Sequence, residues 1–454
     1  MSKPIRAQER RYTYCGKGLD SWFHAVPLEF PGHDSIWSLA TADDGVIYIG
    51  LAGEHNKGTT ALLAYSPKSG KVRIVADSAV LIGDMLPKGR MPHSKIHFAI
   101  CPVGRKIWFA THVSGAVNSD DIIGPMGHGP IADPMTGYEG GRLMCYDSVT
   151  GKTEGFGVIV ANEGIRCLQM SADGRVAYGI TYPKHRFFMH DLATRETYIS
   201  SRVGRYGGID LFMDPRGVVW GAHDGFEGTE PGQFYRFAPA TRRLVDVDAF
   251  LPRSTAGRMT FPELGAHVLH MTPTPDGQAM VSCYGESRIA LFDPRRLRVW
   301  DWGTVWEKAP GRKVKPAKPG AEKGIPSSRL ITKPHFAWCP AFDVFTPRTV
   351  AGARYDRFVW YGEEQWEYER HVRLCAVAYN RRDPGRIVKI RFGTPKNDGF
   401  PSGHWAASTV GADGRVYFAE RVRAQDTPDD RLRLRLSVFT PPKEIGELAE
   451  APTP

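Results

Sequence analysis

The chain has 454 residues, 42% of them hydrophobic and 24% charged, with a formal net charge of +10 and a pI near 9.2. Its 49 glycines and 34 prolines are many for a helical protein and suit a chain of tight turns. No stretch stays apolar long enough to span a bilayer, and the seven cysteines include no CxxC pair, which argues against a zinc ribbon or a thioredoxin-like site.

The first 15 residues, MSKPIRAQERRYTYC, are charged and contain no apolar signal core, so a cytoplasmic location is expected. The positive balance favours an anionic partner. Its densest run, 308–323, is rich in proline and glycine and reads as a solvated loop. The expected partner is an anionic saccharide or glycoside, with neither nucleic acid nor membrane engaged.

In chain order, the first predicted element is a strand around Arg11–Cys15, expected to pair into the last blade of a ring and lock it. SIWSLATADDGVIYIG from Ser35 then reads as two strands around Asp44-Gly45, and LLAYSPKSGKVRIV as a second, outer pair. IHFAICPVGRKIWFATH from Ile96 and LMCYDSVTGKTEGF repeat the pattern, separated by a long glycine-rich insertion at 113–140. IRCLQMSADGRVAYGITY from Ile165 is followed by FFMHDLATRETYI, and GIDLFMDPRGVVWGAH from Gly208 by FYRFAPATRRLVDV. LHMTPTPDGQAMVSCYG from Leu269 precedes IALFDPRRLRVWDW. HFAWCPAFDVF from His335 and DRFVWYGEE from Asp356 are joined by a longer connection and precede CAVAYNRRDPGRIVKI. HWAASTVGADGRVYFAE from His404 and LSVFTPPKEI complete the series.

Seven matched pairs of hairpins predict an all-β fold: a seven-bladed β-propeller of four-stranded antiparallel blades, one domain over 1–454, with loop 113–140 over one face. Closure leaves few free sheet edges. An aromatic or histidine precedes the turn of every outer pair (Tyr65, Tyr146, His190, Phe237, Phe292, Tyr379, Phe439) and is expected to pack between blades.

The starts of the seven inner strands read His33, His97, Arg166, Gly207-Gly208, His270, His335 and His404, so five of seven lie at or near a histidine although the chain has only 15. Such a group points to a metal or a proton-transfer site. His270, His335 and His404 come from consecutive blades and can converge on one divalent ion (zinc, calcium or manganese), with Cys283 or Cys339 near enough in sequence to add a thiolate.

MPHSKIHFAI with IWFATH, then EGGRLMCYDSVTGK, AYGITYPKHRFFMHDLATRE and VGRYGG, resembles the seven-bladed propeller polysaccharide lyases of the ulvan-lyase kind, from about Lys95 to Gly225. The resemblance implies β-elimination at a uronic acid, with a His and a Tyr moving protons, an Arg holding the carboxylate, and bound metal. The matching catalytic positions are His97, His112, Tyr182 and Arg205, and Lys95, His223 and Tyr284 are assigned to substrate binding. The chemistry fits those residue types. A cation beside the carboxylate stabilises the enolate-like charge that develops when C5 loses its proton, and positioned groups move the protons. The long insertion after His112 and the missing export signal favour a smaller intracellular saccharide over an external polymer. The alternatives are a metal-dependent oxygenase with four axial histidines (His97, His270, His335, His404), a metal-dependent hydrolase or lactonase, and a non-catalytic binding platform.

Overall fold

The computed structural model describes residues 10–14, 22–28, 30, 33–53, 59–82, 93–113, 138–204, 210–223, 230, 232–252, 267–284, 288–304, 337–338, 342–345, 357–365, 372–397, 400–401, 403–422 and 433–442. The bulk of the 113–140 insertion, together with Arg205, His335 and Cys339, lies outside them.

The hairpin turns are built as their residues require. In blade one, Gly45 N donates to Ala42 O (2.9 Å), Ala42 N to Val46 O (3.0 Å), and Val46 N to Asp44 Oδ1 (2.9 Å). This is a tight turn followed by a residue in the left-handed region, the place for glycine, and Gly45 sits there at φ +77°. Blades three, four, five and seven use the same turn at Gly174, Gly217, Gly277 and Gly414. Neighbouring turns meet, Gly277 against Pro215 and Gly45 against Ala412, so they share one face of the ring. The other face carries the starts of the inner strands and the ends of the second strands.

Seven blades of four antiparallel strands form a closed ring: a seven-bladed β-propeller. Inner strands of adjacent blades lie against one another, including Ser35–Thr41 of blade one against His404–Val410 of blade seven. The core is a set of wedges between blades. Tyr65, Tyr146, Phe237, Phe292, Tyr379 and Phe439 each pack on an aromatic of the preceding blade, such as Tyr379 on Trp302 (4.8 Å between ring centroids) and Phe439 on Trp360 (4.8 Å).

Two details depart from expectation. The N-terminal strand Arg10–Tyr14 pairs in parallel with Asp383–Gly393 and so extends blade six. The last blade is completed instead by Phe23–Leu28, antiparallel to Arg433–Phe439. This second segment takes the outer place because it runs in the direction that continues the alternation of the blade, whereas Arg10–Tyr14 does not. In blade six the inner strand is split into Ala337–Trp338 and Phe342–Phe345, both paired with Arg357–Gln365. Among the described residues the helix is a five-residue piece, Ser78–Ile82, and none is long and apolar enough to cross a membrane.

Candidate active site at the channel mouth

The inner strand of blade two starts regular pairing only at Ile100. Just before it, Ala99 N donates to His97 O (2.7 Å), a three-residue turn, and Leu168 N of blade three donates to Phe98 O (3.1 Å). Lys95 and His112 exchange two backbone bonds (3.1 and 2.7 Å) on either side of the blade's first hairpin. The segment 96–98 thus bulges out of its own sheet toward blade three and carries His97 and Phe98 with it.

Side chains from three blades meet there in a line of rings. Lys95 Nζ lies 4.2 Å from the centre of the Trp37 ring, and Trp37 of blade one stacks on His97 at 5.3 Å. His97 lies 5.4 Å from His112, and His112 lies 4.9 Å from Tyr182 of blade three. The Tyr182 ring has Arg166 Cζ at 5.6 Å and His185 edge-on at 5.6 Å. Arg166 Nη1 is 3.4 Å from His185 Nδ1, which is therefore the ring's accepting nitrogen. On the other flank, Phe98 packs on His97 and on His270 of blade five, at 4.1 and 4.4 Å. Gly164, paired with Tyr182, allows the approach: a Cβ there would lie 3.2 Å from His112 Cα and 3.3 Å from its ring.

The electrostatics follow from burial and a surplus of cations. His97 is held well below the ordinary histidine range, first by loss of solvent and then by Lys95, Arg166, His112 and His270. It is neutral at neutral pH, and its Nδ1 is buried without a hydrogen-bond partner among the described residues. His112 Nδ1 donates to the Val113 carbonyl, so its Nε2 carries the lone pair. Asp210, before the inner strand of blade four, is pushed up to about 7 by burial. It accepts from Leu211 N (2.8 Å) and Met271 N (3.0 Å) and stands 3.9 Å from His270 Nδ1.

Of the residues expected from sequence, His97, His112, Tyr182 and Lys95 come together, with His270 beyond Phe98. His223 is turned away: its nitrogens pair with Val203 O (3.0 Å) and Asp246 Oδ1 (2.8 Å), and its ring contact is Tyr235. The backbones of Tyr284, paired with His267, and His404, paired with Arg421, are described but their side chains are not. Among the described residues no group of three or more His, Cys, Asp or Glu side chains is arranged to hold a metal ion. Trp37, Arg166, His185 and Asp210 were not expected. Arg166 alone left a trace, since it occupies in blade three the place that histidines hold in other blades.

The fold is a propeller in which histidine, tyrosine and cationic side chains of neighbouring blades meet, and that fold is widely shared. No protein-family model and no curated protein sequence matches the chain. Among solved structures it is similar to streptogramin B lyase, with a TM-score of 0.50 and 10% identity over 93% of this chain and 100% of that one. Virginiamycin B lyase from Staphylococcus aureus follows at 0.47 and 8%, covering 91% and 98%. The propeller domain of Cps50 (Swd1) from Myceliophteria thermophila gives 0.48 and 10%, covering 92% and 100%. At such identities the likeness establishes the propeller and nothing finer.

Proposed function

We propose that the chain is a lyase that cleaves an anionic saccharide or glycoside at a uronate by β-elimination. One observation carries this reading: a neutral histidine, His97, sits in the field of two cations, Lys95 and Arg166, within a continuous line of rings that runs through His112 to Tyr182. A substrate carboxylate neutralises that field. Its arrival raises the proton affinity of His97 at the moment a base is required, and the cations stabilise the enolate-like charge that follows.

The step balances without a co-reactant. His97 takes the proton from C5, the C–H electrons form the C4–C5 double bond, the C4–O bond breaks, and the Tyr182 phenol protonates the departing oxygen. His112 lies between the two groups and relays the proton that resets them. Arg166 takes the part of carboxylate holder, and Arg205 is the second candidate for it.

The propellers named as lyases share only the fold with this chain and lend the reading no support. The resemblance to ulvan-type lyases supports it through His97, His112 and Tyr182. A divalent cation held by His270 with His335 and His404 is a separate part of the proposal, and no step above is routed through it. Elemental analysis of the protein and of the His270→Ala, His335→Ala and His404→Ala variants tests that part, and unchanged content in all three ends it. The reaction itself is tested by ultraviolet absorbance of the conjugated unsaturated uronate, over a panel of anionic oligosaccharides and plain glycosides. Products that have gained water in place of a double bond point to a hydrolase.

A further inference from the structure

A second, partly buried polar cluster begins two residues before Lys95. His93 Nδ1 lies 2.8 Å from Thr111 Oγ1, and His93 Nε2 lies 3.0 Å from Glu139 Oε1. Arg142 closes the circuit from both ends. Its backbone N–H donates to Thr111 Oγ1 (2.9 Å), and its guanidinium donates to both Glu139 oxygens (2.5 and 3.1 Å).

Charge assigns the protons. Glu139 is held below the ordinary carboxylate range, chiefly by Arg142, so it only accepts, and His93 Nε2–H donates to it. Burial lowers His93, which is therefore neutral, and its Nδ1 lone pair accepts a hydrogen bond from the Thr111 hydroxyl. Thr111 is fully buried, and its hydroxyl, both His93 ring nitrogens and both Glu139 carboxylate oxygens find partners within the circuit, so the circuit is made to hold a shape.

The shape it holds is that of the site. Thr111 directly precedes His112, and its N–H donates to Arg142 O (3.0 Å). Tyr138, next to Glu139, is buried with its hydroxyl 3.3 Å from His93 Nδ1, and it clusters with Val113 and Tyr182. Val113 and Tyr138 are the two ends of the connection that follows His112, and both share one buried apolar cluster with Tyr182.

We infer that the His93–Glu139–Arg142 circuit is a positioning device for Tyr182 and His112, acting through Tyr138 and Thr111. The inference rests on the elimination reading only for what the positioned groups do. A reacting group displaced by about 1 Å loses roughly 10²-fold in rate, so a circuit that touches no substrate still governs turnover.

The test compares ring signals of histidine- and tyrosine-labelled full-length protein by NMR, in the wild type, Glu139→Gln and Tyr138→Phe, with Arg105→Ala as a surface control. Glu139→Gln keeps the side-chain shape and removes the charge. The expected result is an unchanged fold by circular dichroism and displaced Tyr182 and His112 signals. Turnover is expected to fall roughly 10- to 100-fold with KM within about twofold, and to return in part in Glu139→Asp. Tyr182 and His112 signals that stay in place in both variants overturn the inference, whatever the protein turns over. A wild type that eliminates nothing defeats the lyase reading, and the ring signals still decide this one.

Discussion

His97 is the residue whose protonation most depends on company. Loss of solvent and four cationic or cationisable neighbours hold it below the ordinary value of 6.5. Two consequences follow with opposite signs. In the free protein the acid limb of kcat/KM, which reports His97 before substrate binds, is expected well below pH 6.5. In the complex, where a carboxylate faces Lys95 and Arg166, the limb of kcat is expected at higher pH than that of kcat/KM. A rate–pH study with the two limbs in the reverse order removes His97 as the base. His97→Ala and Tyr182→Phe are each expected to cost about 10²–10⁴ in kcat/KM. Arg166→Ala is expected to lower kcat more than it raises KM, because its contact strengthens as charge develops. If Arg205→Ala shows that behaviour and Arg166→Ala does not, the carboxylate is held from outside the described cluster.

At the scale of strands and turns, the pattern of Asp-Gly pairs was legible because a left-handed turn position admits few residues other than glycine. Gly277 and Gly70 both occupy that region, at φ +77° and +67°, but only Gly277 is crowded: a Cβ there would lie 2.9 Å from Pro215 of the neighbouring blade. Gly70→Ala is expected to cost about 1 kcal/mol in backbone strain, and Gly277→Ala clearly more. Urea denaturation measures both, and equal costs would show that the turns of adjacent blades do not press on one another. The interblade aromatics were legible for a similar reason, since each precedes a turn at the same phase of the repeat. The placement of the two N-terminal strands was not legible. Nothing local distinguishes a strand that completes blade seven from one that extends blade six, because the difference lies in chain direction relative to partners hundreds of residues away.

For the whole molecule, ring geometry decides what sequence spacing can reveal. His97, His112 and Tyr182 stood out because they fall in phrases that repeat. Trp37 and Asp210 enter from blades one and four, and no local motif marks them; the packing of each blade on the next brings Trp37 to His97 and Asp210 to His270. The net charge of +10 acts at this scale too. Binding of an anionic saccharide is expected to weaken as ionic strength rises from about 50 to 200 mM, through KM and the association rate, with kcat little changed. A KM indifferent to salt would indicate a substrate without charge and would remove the uronate from the proposal.

Phe23–Leu28 pairs with Arg433–Phe439, so the blade that seals the ring joins two segments far apart in the sequence. During synthesis the early strand leaves the ribosome some 400 residues before its partner, which at about 5–20 residues per second is a wait of roughly 20–80 s. Until then both its backbone edges are open to pairing with other chains. The nascent protein therefore needs Phe23–Leu28 kept from association until Arg433–Phe439 has emerged. A ribosome stalled before residue 433 is expected to display a chain that is aggregation-prone and readily cleaved near 23–28, and release of the full-length chain is expected to abolish both properties together.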